Sequence, residues 1–123
     1  MKLIIIPTLN EKKNIKKLFS QIQKLKINSD ILFIDDNSDD GTRDKIISFS
    51  KKNRNVKFIF RPKKLGIGSA HKVGLVYGYK KRYKKILTMD ADGTHNPKYI
   101  KKMFYESKNF DLVITNRFMK SKS

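Results

Sequence analysis

The chain has 123 residues, and its 29 lysines and arginines outnumber its 11 aspartates and glutamates to give a formal net charge of +18. This length fits one domain that can bury a real core, and the absence of cysteine excludes disulfides and thiolate metal sites. The charge predicts attraction to polyanions such as nucleic acid, an anionic membrane surface or phosphorylated ligands, with a solvated lysine-rich surface as the plainer alternative.

Short apolar runs alternate with helical patterns along the chain. The runs predict five strands, at residues 3–6, 31–34, 56–60, 86–89 and 112–114. Pro7 is expected to end the first of these strands. The periodic segments predict helices at residues 15–25, 42–52, 70–77 and from Asn96-Pro97 onward. Strands that are apolar on both faces and alternate with helices indicate an α/β fold with a mostly parallel sheet covered by helices.

Most of the acidic residues stand in three clusters, each directly after an apolar run. The clusters lie in Pro7-Thr8-Leu9-Asn10-Glu11, in residues 35–42 and in Met89-Asp90-Ala91-Asp92-Gly93. Right-handed crossovers place all strand-to-helix loops at one edge of a parallel sheet, where the ligands of such sheets bind. We therefore expect the three clusters to converge there. Packed carboxylates repel one another, so such clusters usually need a cation or a hydrogen-bonding ligand.

The clusters suggest different chemistry. Asp90 and Asp92 offer hard oxygen ligands for Mg²⁺ or Mn²⁺, which would neutralise a leaving diphosphate; the alternative is a solvated turn that caps a helix. Asp36, at the end of the second strand, could accept hydrogen bonds from a base or ribose, or could form an Asx-turn. Asp39 and Asp40 fit turn chemistry better. Glu11 could cap the first helix or contact a nucleotide.

A basic loop, Arg61-Pro62-Lys63-Lys64-Leu65-Gly66-Ile67-Gly68, precedes the third helix. It combines cations with backbone N–H groups at a helix N-terminus, which predicts a phosphate cradle. The loop follows the third strand and lacks the last glycine of the dinucleotide fingerprint, so a Rossmann oxidoreductase is excluded. His71 and His95 have no spacing typical of a metal site or a triad, and both are interpreted as structural.

The ordered segments together resemble a known family. They are Pro7-Thr8-Leu9-Asn10-Glu11, residues 35–42, Arg61 with Gly66-Ile67-Gly68-Ser69-Ala70, Met89-Asp90-Ala91-Asp92 with His95 and Pro97, and Asn116-Arg117-Phe118. The chain is similar to family 2 glycosyltransferases, most closely to polyprenol (dolichol) monophosphate mannose synthases. The resemblance implies an α/β, GT-A-like fold with a Rossmann-like, mostly parallel sheet and helices on both faces. It also implies that residues 1–123 are the N-terminal nucleotide-sugar-binding domain, truncated before the acceptor part.

The resemblance assigns roles to individual residues. Nucleotide-sugar binding falls to Pro7, Leu9, Glu11, Ile34, Asp36, Lys64, Asp90 and Ala91. Asp90, Asp92 and Thr94 would hold Mg²⁺ or Mn²⁺, and the catalytic residues would be Asp92 and Arg117. Gly93 departs from the family pattern, which has a bulkier apolar residue there.

The implied reaction is the inverting transfer of a sugar, mannose from GDP-mannose, to a polyprenyl phosphate. Two alternatives stay open, a non-catalytic nucleotide-sugar-binding fragment and a family 2 enzyme with another donor such as UDP-glucose. The expected partners are the donor, the acceptor and an anionic membrane surface. Nucleic acid is not expected, since the lysines are spread along the chain. The longest early apolar run, Leu3–Ile6, is too short to span a bilayer, so the chain is expected to be soluble or peripheral. The net charge of +18 suits docking on an anionic leaflet, so a cytoplasmic protein at the cytoplasmic face of a membrane is expected.

Overall fold

The computed structural model describes residues 1–91, Ile100 and the backbone of residues 112–114. The strands and helices alternate as the sequence predicts. They are β1 (Lys2–Thr8), α1 (Lys12–Lys24), β2 (Asp30–Asp36), α2 (Thr42–Lys52), β3 (Val56–Arg61), α3 (Ile67–Lys80), β4 (Lys85–Thr88) and β5 (Leu112–Ile114). The helix predicted to begin at Asn96-Pro97 starts outside the described residues. Within the described part of the chain, no helix combines the length and the apolar character that a membrane crossing requires.

The five strands form one sheet in the order β3-β2-β1-β4-β5, and every neighbouring pair is parallel. The chain moves outward from β1 through β2 to β3 and then returns to place β4 on the other side of β1. The strand order therefore reverses between β1 and β4. Loops leave the two strands in opposite directions at such a reversal, and the crevice between them is the usual ligand site of an open α/β sheet.

The prediction that Pro7 ends the first strand is wrong, because β1 continues to Thr8 and pairs Pro7 with Ile34 of β2. The carbonyl of Ile5 accepts a hydrogen bond from the Met89 amide, so the backbone polar groups of Ile5 face β4. Alternation then turns the Pro7 nitrogen to the same side, away from β2. The missing N–H costs no hydrogen bond between β1 and β2, which lets proline sit within the strand.

The helices α1 and α2 cover one face of the sheet. Of the periodic apolar residues that predict the first helix, Ile15, Leu18, Phe19 and Ile22 are buried there, and Leu25, just beyond the end of α1, is partly buried. Phe19 stacks on Phe49 of α2 with ring centroids 4.3 Å apart, and both rings contact Phe33 of β2. These large side chains fill the space between the helices and the sheet, so burial of apolar surface stabilises the packing of α1 and α2 on the sheet.

The helix α3 covers the opposite face, which confirms that helices lie on both sides of the sheet. Ala70, Gly74 and Gly78 recur every four residues and form its buried stripe. A Cβ atom added to Gly74 would lie 2.5 Å from Cγ2 of Ile5, and one added to Gly78 would lie 2.5 Å from Cδ1 of Ile86. The small residues therefore allow α3 to pack closely against β1 and β4.

Candidate functional site

The carboxyl ends of three adjacent strands bring four of the predicted site residues to one face. Alternation along β2 places Leu32, Ile34 and Asp36 on the face that α3 covers, and Leu32 and Ile34 belong to the core beneath α3. Pro7 pairs with Ile34. Asp90 lies two residues beyond Thr88, which pairs with Ile5 of β1, and is therefore level with Pro7. Pro7, Ile34, Asp36 and Asp90 thus share the α3 side of the sheet where the strand order reverses.

Hydrogen bonds join the β1–α1 loop to the β2–α2 loop. The backbone N–H of Asn10 donates to Oγ of Ser38 at 2.8 Å. The side-chain Oδ1 of Asn10 accepts from the backbone N–H of Asp39 at 3.0 Å. The Lys12 amide donates to Oδ2 of Asp40 at 3.1 Å. The acidic turn at residues 39–40 therefore serves as scaffold, as its turn chemistry predicts.

Glu11 begins α1 through its backbone. Its carbonyl accepts from the Asn14 and Ile15 amides at 3.0 and 2.9 Å, and its own N–H donates to Oγ1 of Thr42 at 2.9 Å. Its side chain forms no capping hydrogen bond and accepts from Nδ2 of Asn14 at 3.3 Å. The backbone contacts fix Glu11 at the carboxyl edge of the sheet, two residues after the half-buried Leu9.

Asp35 is fully buried on the opposite face of the sheet, where its carboxylate accepts four hydrogen bonds from the protein. Its carboxylate accepts from the hydroxyls of Thr8 and Ser38 at 2.6 and 2.5 Å and from the Ser38 amide at 2.8 Å. Nε of Arg43 completes the set at 2.9 Å. This carboxylate ties β1, β2 and α2 together.

Asp36 is also buried, with 5% of its surface exposed, and it forms an ion pair with Arg61. Oδ1 accepts from Nε of Arg61 at 2.5 Å, and Oδ2 accepts from the amides of Leu65 and Gly66 at 3.0 and 2.9 Å. Burial alone would raise the pKa of this carboxyl, but the hydrogen bonds and the charge of Arg61 together hold the pKa below its ordinary value. The predicted nucleotide residue thus also holds the next loop in shape.

Arg61 is a site residue whose role the sequence did not reveal. Its guanidinium is buried, and it donates to Oγ of Ser69 at 2.7 Å and to the carbonyl of Gly66 at 3.1 Å as well as to Asp36. It is therefore not one of the solvent-facing cations of the predicted phosphate cradle. Register supplied the missing signal, since Asp36 and Arg61 are direct partners at the ends of β2 and β3.

The remaining cations of this loop face solvent. Pro62, Lys63, Lys64 and Leu65 are all exposed, so the predicted nucleotide residue Lys64 is accessible to solvent. Gly66 follows with φ +96°, a left-handed conformation that favours glycine, and it precedes the first residue of α3.

The β4 end presents Asp90 between two buried apolar neighbours, Met89 and Ala91. Its Oδ1 lies 3.9 Å from Nε2 of His71 on α3, and 18% of its side-chain surface is exposed. Burial lowers the pKa of His71 below its ordinary value, although the nearby Asp90 carboxylate opposes that shift. Nδ1 of His71 is buried without a hydrogen-bond partner in the part of the chain that the structure describes.

The other metal and catalytic residues predicted from the sequence are not described, since Asp92, Thr94 and Arg117 fall outside residues 1–91, 100 and 112–114. No group of three potential metal-binding side chains occurs within those ranges. Asp90 supplies a partly exposed carboxylate at the strand end, and the predicted set adds only oxygen donors to it. Oxygen is the donor type that Mg²⁺ and Mn²⁺ prefer, so the chemistry of the set fits either ion.

Comparison with known proteins identifies the family. The family model for glycosyl transferase family 2 matches residues 3–123. The chain belongs to this family. The family 2 chain is also similar in structure to the crystal structure of S. aureus TarS 1-349, with a TM-score of 0.68 over 86% of this chain and 32% of the other. The identity there is 23%, so this similarity concerns the fold, and it confirms the predicted GT-A-like architecture.

Curated relatives of this family 2 chain carry related names. It is 33% identical to the undecaprenyl-phosphate mannosyltransferase of Micrococcus luteus, over 94% of this chain and 47% of the relative. It is 37% identical to the dolichol-phosphate mannosyltransferase of Pyrococcus furiosus, over 95% of this chain and 33% of the relative. The resemblance to polyprenol and dolichol monophosphate mannose synthases is confirmed. The chain spans between a third and about half the length of these relatives.

Proposed function

We propose that this chain binds a nucleotide sugar at the carboxyl edge of its sheet and takes part in transferring the sugar to a polyprenyl phosphate. The observation that carries the proposal is the alignment of Pro7, Ile34, Asp36 and Asp90 on one face at the reversal of strand order. The names of the relatives support mannose as the sugar and a polyprenyl phosphate as the acceptor. GDP-mannose is the donor that we propose.

The nucleotide would lie across the ends of β1 and β2 and contact Leu9 and Glu11, with the buried Pro7 and Ile34 forming the floor beneath it. Asp36 holds the amides of Leu65 and Gly66, and this contact would present Lys64 to the diphosphate. A positive charge there would offset the charge of the diphosphate.

The diphosphate would lie beside Asp90 and Ala91. Asp90, Asp92 and Thr94 would hold Mg²⁺ or Mn²⁺, which when bound neutralises charge on the leaving diphosphate. Arg117 would bind the phosphate of the acceptor. In the proposed reaction, an acceptor phosphate oxygen attacks the anomeric carbon as the bond from that carbon to the nucleoside diphosphate oxygen breaks, which inverts the anomeric configuration. The attacking oxygen is already anionic, so it needs little help from a general base.

Calorimetric titration tests donor binding. We expect GDP-mannose to bind more tightly than UDP-glucose, Mn²⁺ to strengthen binding, and Asp92→Ala to weaken it about tenfold or more. Asp44→Ala is the control, because it removes an exposed carboxylate from α2 and leaves every proposed site residue in place. Failure to bind any nucleotide sugar, or equal binding by the two variants, would contradict the proposal. Tighter binding of UDP-glucose than of GDP-mannose would instead identify UDP-glucose as the donor.

A transfer assay distinguishes the enzyme from a non-catalytic nucleotide-sugar binder. Labelled GDP-mannose and a short-chain polyprenyl phosphate are mixed with the chain, and the lipid product is extracted and counted. Transfer that Arg117→Ala abolishes would support catalysis by this chain. Donor binding without any transfer would support the non-catalytic alternative.

A further inference from the structure

Two large apolar side chains project from the carboxyl edge of the sheet. Leu65 has 46% of its surface exposed and Ile67 has 61%. They belong to the segment of residues 62–68, which joins β3 to α3 and includes the first two residues of α3, and which we call the β3–α3 loop. Gly66 alone in this segment is half-buried, and the rest are exposed. Exposing two aliphatic side chains only two residues apart is unfavourable in water, so their burial in an apolar phase would be favourable.

Three backbone polar groups of the β3–α3 loop form hydrogen bonds with other parts of the protein. The amides of Leu65 and Gly66 donate to the buried carboxylate of Asp36. The carbonyl of Gly66 accepts from the Arg61 guanidinium and from the Ala70 amide, the latter at 3.0 Å. These three backbone groups therefore keep their partners when the loop leaves water, which lowers the penalty for placing them at the boundary of a bilayer.

Charge complementarity indicates the occupant of this surface. Lys63 and Lys64 stand directly before the apolar pair and are exposed. Lys64 is also the lysine proposed to reach the donor diphosphate, so in the donor-bound chain Lys63 is the cation of this loop that meets the headgroups. Lysines beside inserted aliphatic side chains match a bilayer that carries anionic headgroups, because the cations stay at headgroup level while the apolar groups enter the acyl boundary.

The position of the loop agrees with this partner. It leaves β3 at the same edge as the loops that carry Glu11, Asp36 and Asp90. The phosphate of a polyprenyl phosphate lies at headgroup level, so the donor site must face the membrane for transfer to occur. A second cationic run, residues 80–85, lies at the opposite edge, between the end of α3 and the start of β4. Attachment there would hold the donor site away from the lipid.

We propose that the β3–α3 loop is a membrane-docking element that inserts Leu65 and Ile67 into an anionic bilayer and turns the donor site toward it. The orientation rests on the proposed function, whereas the contact itself rests on the exposure, charge and backbone contacts of the loop.

Vesicle co-sedimentation of the full chain without donor tests the contact. Neutral phosphatidylcholine vesicles are compared with vesicles containing phosphatidylserine. We expect the wild type to prefer the anionic vesicles and the double variant Leu65→Gln, Ile67→Gln to bind them at least about tenfold more weakly. The matched control is Val76→Gln, Tyr79→Gln, which removes two other exposed apolar side chains, from α3. We expect its binding to be unchanged, and circular dichroism to show that both variants are folded.

A fluorescent reporter locates the contact directly. The chain contains no tryptophan, so Leu65→Trp and Tyr79→Trp each create a single reporter. Brominated lipids quench tryptophan that enters the acyl region, and we expect quenching of the Leu65→Trp variant alone. Absence of vesicle binding by the wild type, equal loss in the two double variants, or quenching only of Tyr79→Trp would each overturn the proposal.

GDP-mannose titration in the absence of vesicles separates the two proposals. Normal donor binding by the Leu65→Gln, Ile67→Gln variant together with lost vesicle binding supports a docking role. Normal donor binding with unchanged vesicle binding refutes the docking element and leaves the donor site intact. Vesicle binding that depends on the loop in a chain that binds no nucleotide sugar would refute the proposed function and keep the contact.

Discussion

The ends of β2 and β4 carry carboxylates on the same face of the sheet, yet the two are used differently. Asp36 at the end of β2 is enclosed by an arginine side chain and two backbone amides. Asp90, just beyond β4, has a partly exposed side chain, and it lies beside a histidine whose pKa burial lowers. The β2 carboxylate shapes a loop, whereas the carboxylate just beyond β4 keeps part of its side chain exposed.

The contrast shows what a position after a strand means. A position at the end of a strand places a carboxylate at the edge of the sheet where ligands bind. The residues of the neighbouring strand then determine whether that carboxylate is hydrogen-bonded by the protein itself. Asp36 lies beside Arg61 in the register of β2 and β3. Asp90 lies beyond Thr88, the last residue of β4 that pairs with β1, so it stands outside the paired segment of the two strands. We therefore expect substitutions around Asp36 to lower the free energy of unfolding more than substitution of Asp90.

Removing the Arg61 side chain should lower the stability of the fold more than any other substitution considered below. Arg61→Met leaves the Asp36 carboxylate buried without its cation, and we expect a loss of about 3–5 kcal/mol in the free energy of unfolding. Urea unfolding monitored by circular dichroism measures this loss. The control is Arg54→Met, since Arg54 is exposed and its substitution should stay within about 0.5 kcal/mol. Similar losses in the two variants would show that the Asp36–Arg61 pair does not hold the loop.

Asp35→Asn should have the next largest effect. The new amide presents N–H groups to donors from Ser38 or Arg43, so at least one contact is lost, and we expect about 2 kcal/mol of destabilisation. Asp39→Asn changes an exposed side chain in the same cluster and serves as the matched comparison. If the two substitutions proved equally mild in urea unfolding, the buried network around Asp35 would not be a stability element.

The pH dependence of stability should show that Asp36 is ionised in a buried pair with Arg61. The pKa of Asp36 is lowered in the folded chain, so its ionised form stabilises the fold above the ordinary value of 3.8. That contribution is lost as the pH falls through the lower folded value. Asp36→Asn lacks this titration, and we expect its urea midpoint to fall less steeply than that of the wild type below about pH 4. Parallel curves would contradict the assignment.

Asp90→Asn should change stability least and donor binding most. We expect less than about 1 kcal/mol of destabilisation, because the side chain is partly exposed and the amide retains an acceptor oxygen. Binding of GDP-mannose in the presence of Mn²⁺ should weaken about tenfold or more, since a neutral amide is a poorer ligand for a divalent cation. A large loss of stability with unchanged binding would make Asp90 a structural residue like Asp36 and remove the contrast.

Sequence patterns predicted the layout of the fold well. The apolar runs located β1 to β5 and the periodic segments located α1 to α3, because strand and helix periods are local properties of the chain. The motifs also predicted the family, which the match over residues 3–123 confirms. Pro7 was the exception, since its effect depends on which neighbouring strand its nitrogen faces, and that depends on the sheet.

The candidate site was predictable in its location and less so in its contacts. Alternation along strands and the common edge of strand-to-helix loops are general rules, and they are sufficient to bring Asp36 and Asp90 to the same edge of the sheet. The contacts that enclose Asp36 follow from no such rule. The roles assigned to Asp92, Thr94 and Arg117 stay predictions.

The sequence by itself determined the order of strands and helices, the edge at which the acidic loops gather and the family of the chain, because these follow from local periodicity and ordered motifs. Only the tertiary structure decided which carboxylates are enclosed. The Asp36–Arg61 pair joins residues 25 positions apart, and it forms because β2 and β3 align in one register. Long-range register sets which donors reach a buried carboxylate, and no local pattern encodes it.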